Sequence, residues 1–524
     1  MHIEIKDRLY LRIGKASDVQ NPRERVFYRI LEMLPGVLAW GTLLGAVLAS
    51  WFWPMGAAIF IILFDVYWLL KTIFFSLHLV SAYRRMKENL ATDWMQKLHV
   101  LRLPSSRLPS LGAWRDVYHL VILPFYDEPA ELIRSSLEAL RTSRYPLERL
   151  IVVLASENRA GELGKNIAVL MEQEFGKSFF KFLITVHPAN IAGEIAGKGS
   201  NEAWAGREAQ KLIDALRIPH EHVLVSVFDS DTRAHPGYFG CLTWNFLTAQ
   251  NPLRSSYQPV PVFTNNIWEA PFFSRVVASS STFWHMMKQE NEERLTTFSS
   301  HAMSFAAIVK MDFWQTNIVS EDSRVFWQAL LAFDGDYRVV PLHYPVAMDA
   351  CLAHTLWQTA RNQYKQQRRW GWGIENVPYT LFGFWKNPAI ALRKKIRYAF
   401  MQIEGFWSWS TNAILLFVLG WLPLALGGEV FNRTVLSYNL PLIARTLMSL
   451  ALVGMFVSTA ISLLLLPRRP ERYGKKKTAA MVLQWLFLPI SVMVLGAFPG
   501  LEAQTRLMLG RYMGFWVTEK ARKA

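Results

Sequence analysis

Two runs of about twenty apolar residues, 34–53 and 56–80, are parted only by Trp53-Pro54-Met55-Gly56. A helix of roughly 20 residues crosses the hydrocarbon of a bilayer. Inside that hydrocarbon only helices and closed barrels satisfy their own backbone groups. The Pro-Gly break predicts a hairpin whose two ends face the same side. Basic residues before and after it, Arg23 to Arg29 and Arg84-Arg85-Lys87, put that side in the cytoplasm. Further apolar runs at 399–426, 440–466 and 479–498 predict about three more spans, so a transmembrane region of 396–500 follows the hairpin region of 34–80. Segment 1–33 is polar, cytoplasmic and without a cleavable signal pattern. The expectation is a multi-pass protein of the cell membrane.

The net charge of +16 raises nucleic acid as a partner. The charge is in the wrong places for it. Its clusters, including Arg393-Lys394-Lys395-Arg397 and Arg468 to Lys477, flank apolar segments, which suits anionic lipid and excludes nucleic acid. The 21 Trp suit a bilayer interface. Cys241 and Cys351 make neither a disulfide framework nor a metal-ligand spacing, and read as core thiols in a reducing compartment.

Residues 115–345 have another character. Val117 to Leu123, Leu150 to Leu154, Phe182 to Val186 and Val223 to Phe228 are short β-branched runs. They alternate with helical patterns such as Pro129 to Thr142 and Ser200 to Leu216, which predicts a parallel sheet covered on both faces. Ligands of such sheets bind at the carboxyl ends of the strands. Residues 350–395 read as amphipathic helices on the membrane surface, and 501–524 as an interfacial tail, placed at the outer face if 479–498 is a true span.

Acidic and basic motifs fall at those strand ends. Asp229-Ser230-Asp231 follows the fourth strand, where two carboxylates can converge on Mg²⁺ or Mn²⁺ and so on a diphosphate. The same composition also makes a solvated turn. Gly197-Lys198-Gly199-Ser200-Asn201 opens a helix, offering close backbone approach, a helix N-terminus and a full charge to a phosphate. Glu321-Asp322 begins a helical run, as acids favoured by the helix dipole also do. Gln366, Arg369 and Trp370 share one helical face: an amide, a guanidinium for phosphate and an indole for a sugar ring. Arg361, Lys365 and Arg368 beside them suit lipid headgroups.

Asp-x-Asp, then Glu-Asp, then Gln-x-x-Arg-Trp, beside membrane spans, resembles the membrane-embedded family-2 glycosyltransferases, the group of cellulose, chitin and hyaluronan synthases. The resemblance covers roughly 115–500 and implies a cytoplasmic α/β domain of the GT-A type joined to an α-helical transmembrane region. It implies inverting transfer from a nucleotide diphosphate sugar, UDP-linked by preference, to a growing polysaccharide. Asp229 and Asp231 would hold the metal and Asp322, with Glu321 beside it, would supply the base. Asp127 and Glu128 line the nucleotide pocket in the resembling pattern, with Asp127 a departure from Asn. Glu157 stands where relatives carry an Asp that meets the base. Lys198 and Asn201 match a Lys-Ala-Gly-x-Leu-Asn turn. Phe298 to Ala302 lies where relatives hold the acceptor, which gives Ser300, His301 and Trp370 that role, although His301 also suits a satisfied buried histidine. Implied partners are a glycan or lipid-linked acceptor, membrane lipids, and a homo-oligomer or accessory export proteins.

Single addition to a lipid-linked acceptor is the alternative to a processive synthase. An ion-binding transporter would carry its ionisable groups within spans and often shows internal repeats. Here the acidic pairs lie outside the apolar runs. A catalytically dead scaffold would retain the motifs without turnover.

Overall fold

The computed structural model describes residue 5, residues 8–102, residue 108 and residues 110–517. The N-terminal segment 1–33 and the tail 501–524 are therefore seen in part.

The first apolar run lies within α1 (Pro22–Phe52), which Asn21 caps by accepting from the Arg23 and Glu24 amides at 3.0 and 3.3 Å. Trp53 leaves helical geometry and Pro54 opens α2 (Pro54–Ala91). Both helices outrun the apolar sequence because their polar ends pack on protein. Tyr28 of α1 meets the Phe382 ring, and Met86 of α2 joins Val260 and Val262. Helix α3 (Trp94–Val100) follows.

The middle of the chain runs β1 (Tyr118–Pro124), α4 (Ala130–Arg141), β2 (Leu150–Glu157), α5 (Gly161–Phe175), β3 (Lys181–His187), α6 (Lys198–Ala215) and β4 (Val223–Val227). It continues with β5 (Arg233–Ala234), α7 (Tyr238–Thr248), β6 (Ser255–Val262), α8 (Phe272–Gln289), β7 (Ala302–Ser304), α9 (Phe305–Lys310), α10 (Glu321–Ala332) and β8 (Arg338–Ala347). One sheet takes all eight strands in the order β3-β2-β1-β4-β7-β6-β8-β5. Alternate residues feed two cores. Leu120, Ile122, Ile151 and Val153 pack with α6 and α10, while Val121, Leu123, Val152 and Leu154 pack with α4 and α7. Strands apolar on both faces require helices on both faces, and the result is a helix–sheet–helix sandwich.

Strands β1 to β4 are parallel, as the β-branched runs predict. The other half is mixed. β7 runs antiparallel to both β4 and β6, β8 is parallel to β6 across a bulge between Gln258 and Val260, and β5 is antiparallel to β8. β7 is reached from residues 298–301, which already lie at the carboxyl edge of the sheet. A strand entered from that edge must run back. Its three residues are also too few to show a period.

Beyond the sheet come α11 (Leu356–Gly371), α12 (Asn376–Lys386) and α13 (Leu392–Phe417). Among the described residues four helices are long and apolar enough to cross a membrane: α1, α2, Val435–Leu464 and Lys475–Met508. A fifth is counted if α13 and Leu419–Leu426, bent by 48°, form one span. Val435–Leu464 lies parallel to α2, with Leu440 beside Ala58, Gly454 against Thr72 and Ile461 beside Leu79.

The stretch Lys475–Met508 takes in the run 479–498 expected to be a span, and its length and apolarity allow a crossing. Just before it, Tyr473 stacks on Trp268 and Arg472 pairs with Glu269. Just after it, Phe515 lies on Gly197. Both ends touch the α/β domain, whereas a crossing helix separates its ends. One side of the stretch packs on α8, α11 and α13, and the other exposes Leu483, Leu486 and Ile490.

Candidate functional site

The parallel strands set the site. The Phe228 amide donates to the Ile122 carbonyl and that of Phe125 to the Ala155 carbonyl, so the ends of β1, β2 and β4 open at one level. Glu128 ties two of these turns together, accepting from the Tyr126 amide at 2.7 Å and the Ser230 hydroxyl at 2.9 Å. Opposite them, α6 and α10 begin side by side. A Cβ on Gly199 would stand 2.9 Å from that of Glu321, so the two helix starts can approach this closely only without a side chain there.

Lys198 stands at the centre. Its Nζ lies 2.7 Å from Asp229 Oδ1 and 2.8 Å from both Asp322 oxygens, with Glu202 and Glu321 at 3.5 and 3.6 Å. Burial alone would push the Lys198 ammonium down, but the surrounding carboxylates, Asp229 and Asp322 first, hold it well above its usual range. Glu202 is fully enclosed, and burial drives its carboxyl well above the usual range. Burial, with Asp322 adjacent, pushes Glu321 up to about 8. At neutral pH this pair therefore retains a proton, while Asp229 and Asp322, 25% and 22% exposed, face the opening.

Asp229 also accepts from the Ser299 hydroxyl at 2.8 Å. Asp231 is 1% exposed, and its Oδ2 accepts from the Asp349 amide at 3.1 Å. Asn265 joins this pair, donating to the Asp231 carbonyl and to Asp349 Oδ1. Asp229, Asp231 and Asp349 offer carboxylate oxygens, the ligand type of a hard divalent cation, but among the described residues the three do not gather within 4.8 Å of one another. The set that does gather within 4.8 Å is Glu202, Glu321 and Asp322, and the Lys198 ammonium already sits among them. That second set is neutralised from within the protein.

The remaining expected residues surround this centre. Glu157 is buried and paired with Arg159, whose guanidinium lies 4.3 Å over the Tyr126 ring. The Glu157 bond, more than the nearby Asp127 charge, raises the Arg159 pKa. Asp127 itself is exposed at the turn. Asn201 donates to the Ala155 carbonyl at 2.8 Å, so it fixes the end of β2 rather than facing the opening. Ser300 and His301 are fully buried beneath Asp229 and Asp322. Ser300 adopts φ 65°, a strained conformation for a residue with a side chain. His301 Nδ1 is 3.0 Å from the Phe298 carbonyl and 3.8 Å from Asp322, and burial lowers the pKa of the ring.

On α11, Gln366 accepts from Gln363 at 2.9 Å and the Trp370 ring lies 6.3 Å from that of Phe263. The Arg369 charge reaches Glu321, and its guanidinium lies 5.1 Å over the Phe515 ring. Arg368 pairs with Glu502 at 2.6 Å and Lys365 lies over Trp516, so neither is simply presented to lipid.

Sequence reasoning missed several members. Glu202 is one helical turn from Lys198, a spacing that could have flagged it. Glu375 accepts from the Val319 and Ser320 amides, the Ser320 hydroxyl and the Trp372 indole, and so fixes the turn before Glu321. A lone acid inside an apolar aromatic run was its signal. Phe515 reaches the site only through tertiary folding. A Cβ on Gly197 would stand 2.6 Å from it.

No protein-family model matches the chain, and no curated protein matches it. Among solved structures it is similar to the mannosyltransferase PcManGT from Pyrobaculum calidifontis in complex with GDP-Man and Mn²⁺. There the identity is 13%, the coverage 77% of this chain and 99% of that one, and the TM-score 0.39. It is also similar to TarS 1–349 from S. aureus in complex with UDP-GlcNAc, at 12% identity, 66% and 90% coverage and a TM-score of 0.36. Likeness at this level assigns neither donor nor acceptor, and the chemistry is read from the chain's own residues.

Proposed function

We propose that the chain is a membrane-bound inverting glycosyltransferase of family 2, with a GT-A-type domain over 115–345 facing the cytoplasm. It takes a sugar from a nucleotide diphosphate sugar and adds it to a growing glycan. The observation that carries this reading is the gathering of Asp229, Lys198, Asp322, Glu321 and Arg369 at the open ends of β1 and β4. Few other chemistries need carboxylates for a cation, a lysine and an arginine for phosphate, and a further partly exposed carboxylate, all at one strand edge.

Asp229 and Asp231 would hold Mg²⁺ or Mn²⁺, which neutralises diphosphate charge when bound. The stacked pair Tyr126 and Arg159, with Glu157 and Asp127 at its edge, offers a flat face and hydrogen-bond acceptors to a base, and we assign uracil to it. Lys198 and Arg369 face the leaving diphosphate, with Gln366 and Trp370 on the same helix face toward the sugar and acceptor. Asp322 takes the proton of the acceptor hydroxyl as its oxygen bonds to the anomeric carbon and the bond from that carbon to phosphate oxygen breaks on the opposite face. Lys198 and the protonated Glu321–Glu202 pair hold Asp322 in place. Ser300 and His301 form the floor beneath the acceptor. The spans on both sides of the domain support extension with extrusion over a single addition.

Purified protein in nanodiscs, offered a panel of UDP- and GDP-sugars with Mg²⁺ or Mn²⁺, tests this through nucleotide release. Release from at least one UDP-sugar, abolished by a chelator, is expected. A panel without any release contradicts the proposal.

A further inference from the structure

Far from this centre, a cavity of about 560 Å³ opens between α2, the bent end of α13 and the helix Val435–Leu464. Ile61, Leu416, Trp421 and Tyr438 line it together with two charged residues, Asp65 and Arg445. Asp65 is 6% exposed, makes no hydrogen bond or ion pair among the described residues, and borders the cavity. Arg445 is exposed on the wall contributed by the second helix and likewise has no ion pair among the described residues.

The packing fixes the depth. α2 and Val435–Leu464 are parallel, with Leu440 beside Ala58 and Gly454 beside Thr72. Asp65 is 11 residues from Pro54, roughly 16 Å along the helix, and Arg445 is 10 residues from Val435, roughly 15 Å. The two charges therefore stand at one level, in the half of the helical region remote from the sheet and about 10 Å below Tyr438, so a headgroup reaches them by sinking into the cavity. Trp421 and Tyr438, 51% and 84% exposed, mark the mouth as aromatic rings do at a bilayer surface. A carboxylate so placed is costly without a cation, and an arginine there reaches for phosphate.

We propose that this cavity binds the headgroup of an aminophospholipid of the outer leaflet, with its ammonium on Asp65 and its phosphate on Arg445. A zwitterion with a donating ammonium satisfies both walls. A choline headgroup cannot donate hydrogen bonds to Asp65, and a purely anionic headgroup leaves Asp65 uncompensated.

The inference rests on the membrane reading, not on the transferase reading, and alkaline carbonate extraction checks that reading separately. Native mass spectrometry of the full chain in detergent, titrated with phosphatidylethanolamine, phosphatidylcholine or phosphatidylglycerol, tests the site. One ethanolamine lipid should be retained about tenfold more tightly than either competitor, the discrimination of one charge-assisted contact. Asp65→Asn should erase the preference over choline, and Arg445→Gln should weaken retention of all three, with nucleotide release unchanged in both. Equal retention of the three lipids by the parent overturns the proposal, as does an undiminished preference in Asp65→Asn. Release of the protein by carbonate would defeat the membrane reading itself.

Discussion

Glu321 and Glu202 are the residues whose chemistry is furthest from that of free side chains. An acid raised by burial from its ordinary 4.5 to about 8 keeps its proton in the folded chain while the unfolded chain releases it. The unfolded state thus binds fewer protons between those two values, and Glu321 makes the fold lose stability as pH rises through that window. Glu321→Gln removes the titration. Its melting temperature should gain on the parent steadily from about pH 4.5 to about pH 8 and run level outside that range, read by tryptophan fluorescence. A constant offset at every pH would show that Glu321 is ionised in the fold. At this scale the sequence was informative where a motif sat at a strand end or a helix start: Asp229, Lys198, Glu321 and Asp322 were all visible, and folding brings the three acids around the Lys198 ammonium. Glu375 and Asp349 were not, because what selects them is burial and a partner distant in sequence, and Glu202 showed only its one-turn spacing from Lys198.

Among the elements, β1 to β4 and the helices between them were legible, since β-branched runs and 3.6-residue patterns alternate there. β5, β7 and the bulge in β6 were not, being too short or irregular to show a period. The close contact of α2 with Val435–Leu464 also escaped sequence reading. Lipid tails are as apolar as the helices, so association in a membrane depends on close approach of small residues. Gly454 supplies that approach, because a Cβ there would lie 2.3 Å from the Thr72 methyl. Gly454→Leu should force the helices apart at a cost of about 1–3 kcal/mol. The melting temperature in detergent should fall accordingly, with nucleotide affinity retained. An unchanged melting temperature would mean that the two helices do not hold each other.

For the whole molecule, we propose a topology with the α/β sandwich, both ends of Lys475–Met508 and the tail as far as Val517 on one side of the bilayer, since Tyr473 and Phe515 both touch the domain, and the loop around Asn432 on the other. The basic residues Arg506 and Arg511 then lie with the other positive clusters, whereas a crossing by Lys475–Met508 would put them on the opposite side. In a background carrying Cys241→Ala and Cys351→Ala, an impermeant thiol reagent added to intact cells should label Asn432→Cys. Gly514→Cys should react only after lysis. Labelling of Gly514→Cys from outside would restore the crossing helix. The central claim, that the gathered carboxylates form a transfer centre, is tested most directly by Asp322→Asn in the full chain in nanodiscs. A base acts in the transition state and adds little to ground-state affinity. Nucleotide affinity measured by calorimetry should therefore stay near that of the parent, while nucleotide release in the presence of acceptor drops by on the order of 10² to 10⁴. Near-parental release from Asp322→Asn would contradict the account.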